Sequence, residues 1–382
     1  MLTKITKLRK VLHQNPELSG FEVQTAERLI NFIKSHCDAQ IISGIGGNGF
    51  VAVFNFHEKG PTIGFRCELD ALPIHEENTF NHRSKVDGVS HKCGHDGHMA
   101  IVTGLLFWIK EKTFKSGKIV LIFQPAEETG KGAFKMLNDS RFKQLKLDYI
   151  FALHNIPGEP LHSILITEPG FSAEVQSLSI TIKGKKSHAA EPENGLNPAL
   201  GISHIIQELT KLNHTNSESK NFAIVTPIHI VMGEKAYGIS PEHAELYYTI
   251  RTWDGQMMTQ IKEALLTIIK TLCESYKLKF TIDWFEYFPA THNDHECNEY
   301  IKKAVDLLNL KVQHRPQPFR FGEDFGWFSS AYKTAMFGIG SGIDSPALHH
   351  ANYDFPDAII KTGIAMYTSL IENLLKPNKK VL

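Results

Sequence analysis

The chain has 382 residues, 42% of them hydrophobic and 21% charged, and its formal net charge is +0. This composition is that of an ordinary globular protein, and the length favours two domains over a single core. The balanced charge argues against a nucleic-acid partner, and no uncharged apolar run is long enough to cross a membrane.

The N-terminal segment and the cysteines predict a cytoplasmic location. Lysine and arginine are spread through residues 1–12 without an apolar segment, which argues against a secretory signal peptide. Five cysteines are an odd number in a chain this long, and this predicts a reducing compartment rather than a disulfide framework.

The first third of the chain alternates helix and strand patterns. Apolar residues recur at helical spacing over 22–35 and 96–110. Short apolar runs predict four strands, at 50–56, 62–66, 118–123 and 148–153. Apolar strands that alternate with helices are typical of an α/β sheet buried on both faces.

The pattern changes near Pro169-Gly170 and changes back after Pro289. Between these points the predicted order is strand, helix, strand, strand, helix, strand, at 174–183, 198–212, 222–231, 244–251, 255–276 and 277–287. This is the order of a ferredoxin-like α+β unit. We therefore predict a domain of residues 172–290, inserted into a discontinuous α/β domain of residues 1–171 and 291–382.

The segment 91–98 reads His-Lys-Cys-Gly-His-Asp-Gly-His and is the strongest chemical signal in the chain. Cys93 and His95 stand two positions apart, and such sulfur and nitrogen donors suit zinc-like ions. The same segment also contains His91 and His98. We expect these two histidines to support the site rather than bind metal, because more ligands would close the open position that catalysis needs.

Further donors lie far away in sequence, directly after predicted strands. Glu127 and Glu128 follow the strand at 118–123, His154 follows the strand at 148–153, and His349 lies near the C-terminus. Ligands in open α/β sheets bind beyond the carboxyl ends of the strands. This dispersal indicates a catalytic site in a large fold and argues against a zinc-finger module.

A hydrolytic metal centre needs donors, an open position for water and a base. Five of these side chains can share two divalent ions as ligands, namely Cys93, His95, Glu128, His154 and His349. Adjacent residues do not easily face the same ion, so Glu127 is predicted to face the water and to act as the general base.

Eight short motifs run through the chain in order: His13-Gln-Asn-Pro-Glu-Leu18, Asp70-Ala-Leu-Pro73, Cys93-Gly-His-Asp96, Gln124-Pro-Ala-Glu-Glu128, Ala152-Leu-His-Asn155, Ser187-His-Ala-Ala-Glu-Pro192, Gly322-Glu-Asp-Phe325 and Leu348-His349. Together they resemble the amidohydrolase branch of the aminoacylase/carboxypeptidase metallohydrolases of clan MH. That branch includes N-acyl-amino-acid, hippurate and auxin-conjugate hydrolases.

The resemblance implies roles for individual residues. It implies that the five donors named above bind two divalent ions (zinc, manganese, nickel or cobalt) and that Glu127 is the base. Asp70 then orients a ligand histidine. His188 helps to hold the substrate and to polarise its carbonyl group, and Arg251 binds a substrate carboxylate through its guanidinium.

The resemblance also implies an architecture and a partner. The architecture is a phosphorylase/hydrolase-like α/β catalytic domain with an inserted lid or dimerisation domain. The assembly is a homodimer or a tetramer, without nucleic acid or membrane.

The leading hypothesis is a metal-dependent amidohydrolase that acts on N-acyl amino acids or similar small conjugates. One alternative is a dipeptidase or aminoacylase with the same chemistry. The other is a catalytically silent metal-binding scaffold. Loss of Glu127 or Glu128 would indicate the scaffold, and both residues are present.

Overall fold

The structure is a computed structural model that describes residues 1–56, 58–168 and 170–375. The α-helices in this part of the chain are α1 Leu2–Gln14, α2 Val23–Lys34, α3 His95–Ile109, α4 Gly132–Asn138, α5 Ser140–Lys143, α6 Ala199–Thr210, α7 Gly255–Ser275, α8 His295–Leu307, α9 Gly326–Ser329 and α10 Ile360–Leu375. Among these described helices, none has the length and apolar character that a membrane span requires.

The strands are β1 Gln40–Ile45, β2 Gly49–Asn55, β3 Glu58–Glu68, β4 Ser116–Gln124, β5 Tyr149–Ile156, β6 Ile164–Thr167, β7 Glu174–Lys183, β8 Ser187–His188, β9 Ala223–Met232, β10 Ile239–Ser240, β11 His243–Thr252, β12 Lys279–Phe288, β13 Val312–Arg315 and β14 Lys333–Gly340.

The chain divides into two compact units. The first contains the described parts of Met1–Phe171, Thr291–Pro318 and Glu323–Leu382, and the second contains Ser172–Ala290 and Phe319–Gly322. The segment 319–322 differs from the predicted boundary, which placed it in the α/β domain. It lies with the second unit, where Ala173 N donates a hydrogen bond to Phe319 O at 2.9 Å. Pro169, which marked the predicted first crossing, lies outside the described residues.

The first unit is built on an eight-stranded mixed sheet in the order β1-β2-β4-β3-β5-β14-β6-β13. Its four central strands, β4, β3, β5 and β14, run parallel. These strands are almost fully buried because their apolar runs face layers on both sides; in β4, all residues from Ile119 to Gln124 are buried. The α/β class predicted from the sequence is confirmed.

Helix α3 is the central helix of this unit. Every residue of the helix except Trp108 is buried, and α1 and α10 pack against it. The helix begins after Gly94, whose φ of 97° is a left-handed conformation that favours glycine. A Cβ at this position would lie 2.4 Å from Asn155 Oδ1. Gly94 thus lets the chain turn sharply between Cys93 and His95.

The second unit contains a four-stranded antiparallel sheet in the order β12-β7-β11-β9, with helices α6 and α7. Burial alternates residue by residue along β11, because only one face of that strand meets the core. The chain order of strands and helices is the predicted ferredoxin-like order, which is confirmed. Strand β9 forms one edge of the sheet.

Candidate metal centre

The candidate centre lies at the carboxyl edge of the parallel strands. β3, β4 and β5 are parallel, and each leads directly to a candidate residue: β3 to Asp70, β4 to Glu127 and Glu128, and β5 to His154 at its own carboxyl end. Helix α3 brings His95 to the same place with its first residue. The topology of the sheet therefore gathers side chains that are far apart in sequence.

All five predicted ligands lie in groups whose donor atoms are within 4.8 Å of one another. One group is Cys93, His95 and His154, and another is Cys93, Glu128 and His349. Cys93 belongs to both groups, and its Sγ lies 3.4 Å from His154 Nε2. The sulfur of Cys93 is therefore available to both donor groups, and either group would hold a metal ion through it.

Two of the three predicted ligand histidines use Nδ1 for a main-chain hydrogen bond and leave Nε2 towards this centre. His95 Nδ1 donates to Asp70 O at 2.9 Å, and His154 Nδ1 donates to Asn155 O at 2.8 Å. A main-chain oxygen can only accept, so Nδ1 carries a proton and Nε2 is the nitrogen available to a metal ion. This is the arrangement by which proteins fix the tautomer of a metal-binding histidine.

The buried atoms at the centre without a hydrogen-bond partner within the described part of the chain include His95 Nε2 and Glu128 Oε1, which lie 3.8 Å apart. A buried polar atom without a partner costs about 1–3 kcal/mol, so such atoms are rare. A divalent cation would satisfy both, and the residues present therefore fit a metal ion.

The pKa values of the carboxylates and the thiol at this centre also indicate a site for cations. Burial and then Glu323 raise the pKa of Glu127 well above its ordinary value. Burial, aided by Asp70 and opposed by His95, raises the pKa of Glu128 to about 7. Burial and then Glu128 raise the pKa of the Cys93 thiol. A bound divalent ion would supply the positive charge that stabilises the ionised forms of these groups.

Two residues at the centre have left-handed backbone conformations that are uncommon for side-chain-bearing residues. Ala126, directly before Glu127, has φ 49°, and His349 has φ 64°. Each is held by a hydrogen bond from its own amide, Ala126 N to Glu22 Oε1 at 2.8 Å and His349 N to Lys92 O at 2.9 Å. Such strain costs on the order of 1–3 kcal/mol and is concentrated at functional sites.

Comparison with known proteins places the chain in a family. The family model described as peptidase family M20/M25/M40 matches residues 64–373, which is most of the chain. The chain belongs to this family. The predicted resemblance is confirmed, and the chain is a metal-dependent hydrolase of amide bonds.

Two relatives that are named for an activity align with nearly the whole chain. An N-acetyl-L-cysteine deacetylase of Bacillus subtilis is 31% identical over 98% of this chain and 88% of its own length. An N-acetyldiaminopimelate deacetylase of Priestia megaterium is 30% identical over 97% of this chain and 98% of its own. A solved structure from Bacillus subtilis, described as a dinuclear metal-binding peptidase of the M20 family, is 26% identical, has a TM-score of 0.83 and covers 98% of both chains.

Asp70, which was predicted to orient a ligand histidine of this M20 hydrolase, contacts His95 through its main chain. Its carbonyl oxygen accepts the hydrogen bond from His95, whereas its carboxylate Oδ1 lies 3.7 Å from the same Nδ1. The other carboxylate oxygen, Oδ2, accepts from Ser19 Oγ at 2.6 Å and from Glu128 N at 3.0 Å. Asp70 therefore contacts one ligand through its carbonyl and the backbone of another through its carboxylate.

The two predicted substrate-binding residues belong to the second unit. His188 is exposed on β8, and its Nδ1 accepts a hydrogen bond from Ala190 N at 3.0 Å. Arg251 lies on β11 and donates from Nη1 to Arg320 O at 2.8 Å.

A buried charge cluster beside the donors was not predicted. Arg66 donates to three carboxylates, those of Glu68, Glu323 and Asp324, and all four residues are at most 2% exposed. The adjacent carboxylates in the motif Gly322-Glu-Asp-Phe325 were the available sequence signal, but nothing in the sequence paired them with Arg66.

His98 was expected to support the site. Its Nδ1 lies 2.6 Å from Glu68 Oε2, a carboxylate oxygen of the same cluster.

Proposed function

We propose that this enzyme hydrolyses the amide bond of N-acyl amino acids or similar small amino-acid conjugates. The observation that carries the proposal is the gathering of five metal donors beside a further buried carboxylate, that of Glu127. The names of the two deacetylase relatives support this substrate class. A cytoplasmic location, expected from the cysteine content, is part of the proposal.

The cofactors are two divalent metal ions. Cys93, His95, Glu128, His154 and His349 would hold them, with Cys93 common to both donor groups. When bound, such ions supply Lewis acidity, which polarises the scissile carbonyl group and lowers the pKa of water.

Glu127 is the general base in this proposal. Its Oε2 lies 3.8 Å from His95 Nε2, so the carboxylate faces the donors without being bonded to them. Glu127 must be ionised to act as a base, a state that bound cations would favour. Burial and the surrounding carboxylates raise its pKa, which favours holding the proton once it has been taken from water. Glu127 then passes this proton to the amide nitrogen. The product leaves as a neutral amine, whereas without the proton it would have to leave as a strongly basic anion.

The second unit would bind the rest of the substrate. The guanidinium of Arg251 suits a substrate carboxylate, and the imidazole of His188 suits the carbonyl oxygen of the scissile amide. A free carboxylate next to the amide is the feature that N-acyl amino acids and dipeptides share.

The experiment is a substrate panel with chelated enzyme reconstituted with zinc, manganese, cobalt or nickel. The panel contains N-acetyl amino acids, longer N-acyl amino acids, dipeptides and acyl amides without a carboxylate. We expect the highest kcat/KM with N-acyl amino acids. A higher kcat/KM with dipeptides would favour the dipeptidase alternative, and no hydrolysis of any amide would overturn the proposal.

A further inference from the structure

The carboxylate of Asp324 is clamped from three elements of the first unit. Its Oδ1 accepts from Arg66 Nη2 on β3 at 2.9 Å and from Gln124 Nε2 on β4 at 2.7 Å. Its Oδ2 accepts from Ala133 N on α4 at 2.9 Å. The side chain is fully buried, so water does not compete for these bonds.

The main chain of the same residue reaches the candidate base. Asp324 N donates a hydrogen bond to Glu127 Oε1 at 3.3 Å. The opposite oxygen, Oε2, is the one that faces His95. One oxygen of Glu127 is thus held by an amide, and the other is directed towards the donors.

This amide follows a point where the chain passes between units. Residues 319–322 belong to the second unit, and Glu323 begins the return to the first. Arg320 O accepts from Arg251, and a Cβ at Gly322 would lie 3.0 Å from Val175 Cγ2 and 3.1 Å from Phe288 Cγ, all in the second unit. The clamp therefore fixes the Asp324 amide within two residues of the point where the chain re-enters the first unit.

We propose that Asp324 is a positioning residue for Glu127: its clamped carboxylate fixes the amide that orients the base. Arg66 and Gln124 contribute by holding that carboxylate. The inference rests on the proposed function, in which Glu127 is the base. The inference also gives a role to the buried cluster of Arg66 and three carboxylates: the cluster immobilises the segment whose amide contacts the base.

The test substitutes the clamp and measures the kinetics of the metal-loaded enzyme. Asp324→Asn keeps the shape of the side chain. Its new NH2 group is a donor and must face another donor, either Ala133 N or the side chains of Arg66 and Gln124. We expect kcat to fall about 10- to 100-fold, since displacement of a reacting group by about 1 Å has an effect of that size. KM should stay within about twofold, and the metal content should remain at two ions per chain.

A second variant and a matched control keep the test decisive if Asp324→Asn folds poorly. Gln124→Ala removes one of the three clamp donors without changing charge, and we expect a smaller fall in kcat. Asp294→Ala removes an aspartate of the same unit that caps α8 by accepting from Cys297 N and belongs neither to the clamp nor to the donor groups. We expect it to lower stability and to leave kcat unchanged.

A double-variant cycle separates this inference from the proposed function. If Asp324 acts through Glu127, Asp324→Asn should have little further effect on kcat in a Glu127→Gln background. Additive effects, or unchanged kcat in both clamp variants, would overturn the inference while leaving the base in place. Full activity of Glu127→Gln alone would instead overturn the proposed function.

Discussion

At the scale of single residues, the account depends most on Glu127. Glu127→Gln keeps the size of the side chain and removes its ability to accept a proton from water. We expect kcat to fall by a factor on the order of 100 or more, because proton transfer in the transition state contributes that much. Steady-state kinetics and metal analysis of the same preparation check this prediction.

The control for this variant is Glu111→Gln, an exposed glutamate of the first unit. It should turn over as the wild type does. If Glu127→Gln also turned over normally, or if it lost its metal ions, Glu127 would be a structural residue or a ligand rather than the base.

Cys93 gives a second prediction at this scale. In the metal-free enzyme its thiol is deprotonated only at high pH, because burial and Glu128 raise its pKa. A bound ion would hold the sulfur as a coordinated thiolate and protect it from alkylation. Only a small thiolate fraction is present at about pH 9, so labelling followed over time by mass spectrometry should modify Cys93 slowly after chelation and not at all with metal bound.

The half-buried Cys37 is the internal control, since it lies outside the donor groups and should label equally in both states. Equal labelling of Cys93 with and without metal would argue against coordination.

The sequence could predict the donors but not the contacts that orient them. Thiol, imidazole and carboxylate side chains are visible in a sequence, and their positions after apolar strands indicated where they would meet. The hydrogen bond from His95 to the carbonyl of Asp70 and the bond from the amide of Asp324 to Glu127 involve main-chain atoms. Every residue has these atoms, so no sequence pattern marks them.

At the scale of elements, α1 is attached to α3 by buried charges. Arg9 and His13 of α1 both contact the Asp96 carboxylate on α3, at 3.1 and 2.8 Å. Gly94 is the N-cap of α3, and Asp96 lies within the first turn of the helix. The helix α1 itself was not predicted. Its sequence is rich in basic residues, and only Ile5, Leu8 and Leu12 mark its buried apolar face.

The pairing of α1 with α3 predicts a pH dependence of stability. Burial lowers the pKa of His13, but Asp96 and Glu76 outweigh burial and raise it to about 9 from an ordinary value of 6.5. The stabilisation is therefore complete below about pH 6.5 and is lost as the pH rises through about 9. The corresponding change in the free energy of unfolding is about 3 kcal/mol.

Urea unfolding of the chelated enzyme at about pH 6 and about pH 10 measures this change. His13→Gln cannot titrate in this range, so the wild type should lose about 3 kcal/mol more than the variant does. The same loss in both proteins would show that His13 is not charged in the native state.

At the scale of the whole molecule, the second unit offers a surface for pairing. The edge strand β9 is exposed from Thr226 to Met232, and its apolar side chains include Ile228 at 61% and Ile230 at 41% exposure. Exposed apolar edge strands tend to pair with another strand, and a second copy related by a two-fold axis can supply one. We therefore predict a homodimer formed through β9.

Sedimentation velocity of wild type, Ile228→Lys and Leu307→Lys tests the dimer. Leu307 is 65% exposed on α8 of the first unit and serves as the control. We expect Ile228→Lys to shift the protein towards monomer and Leu307→Lys to leave it dimeric. A monomeric wild type at all concentrations would contradict the prediction.

The two-unit architecture could largely be predicted, because the order of strand and helix patterns changes at two places in the chain. The segment Phe319–Gly322 could not, because four residues without a repeating pattern carry no signal of which unit they join. Two of its main-chain carbonyl groups accept long-range hydrogen bonds, from the Ala173 amide and from the Arg251 guanidinium, and only the folded chain shows these bonds.

The central claim is that the gathered donors bind two divalent ions on which amide hydrolysis depends. The most direct measurement titrates the chelated enzyme with the best-supporting metal while following acetate release from an N-acetyl amino acid. We predict that activity rises from near zero and reaches its plateau at two equivalents of metal per chain. A plateau at one equivalent, or full activity in the chelated enzyme, would contradict the account.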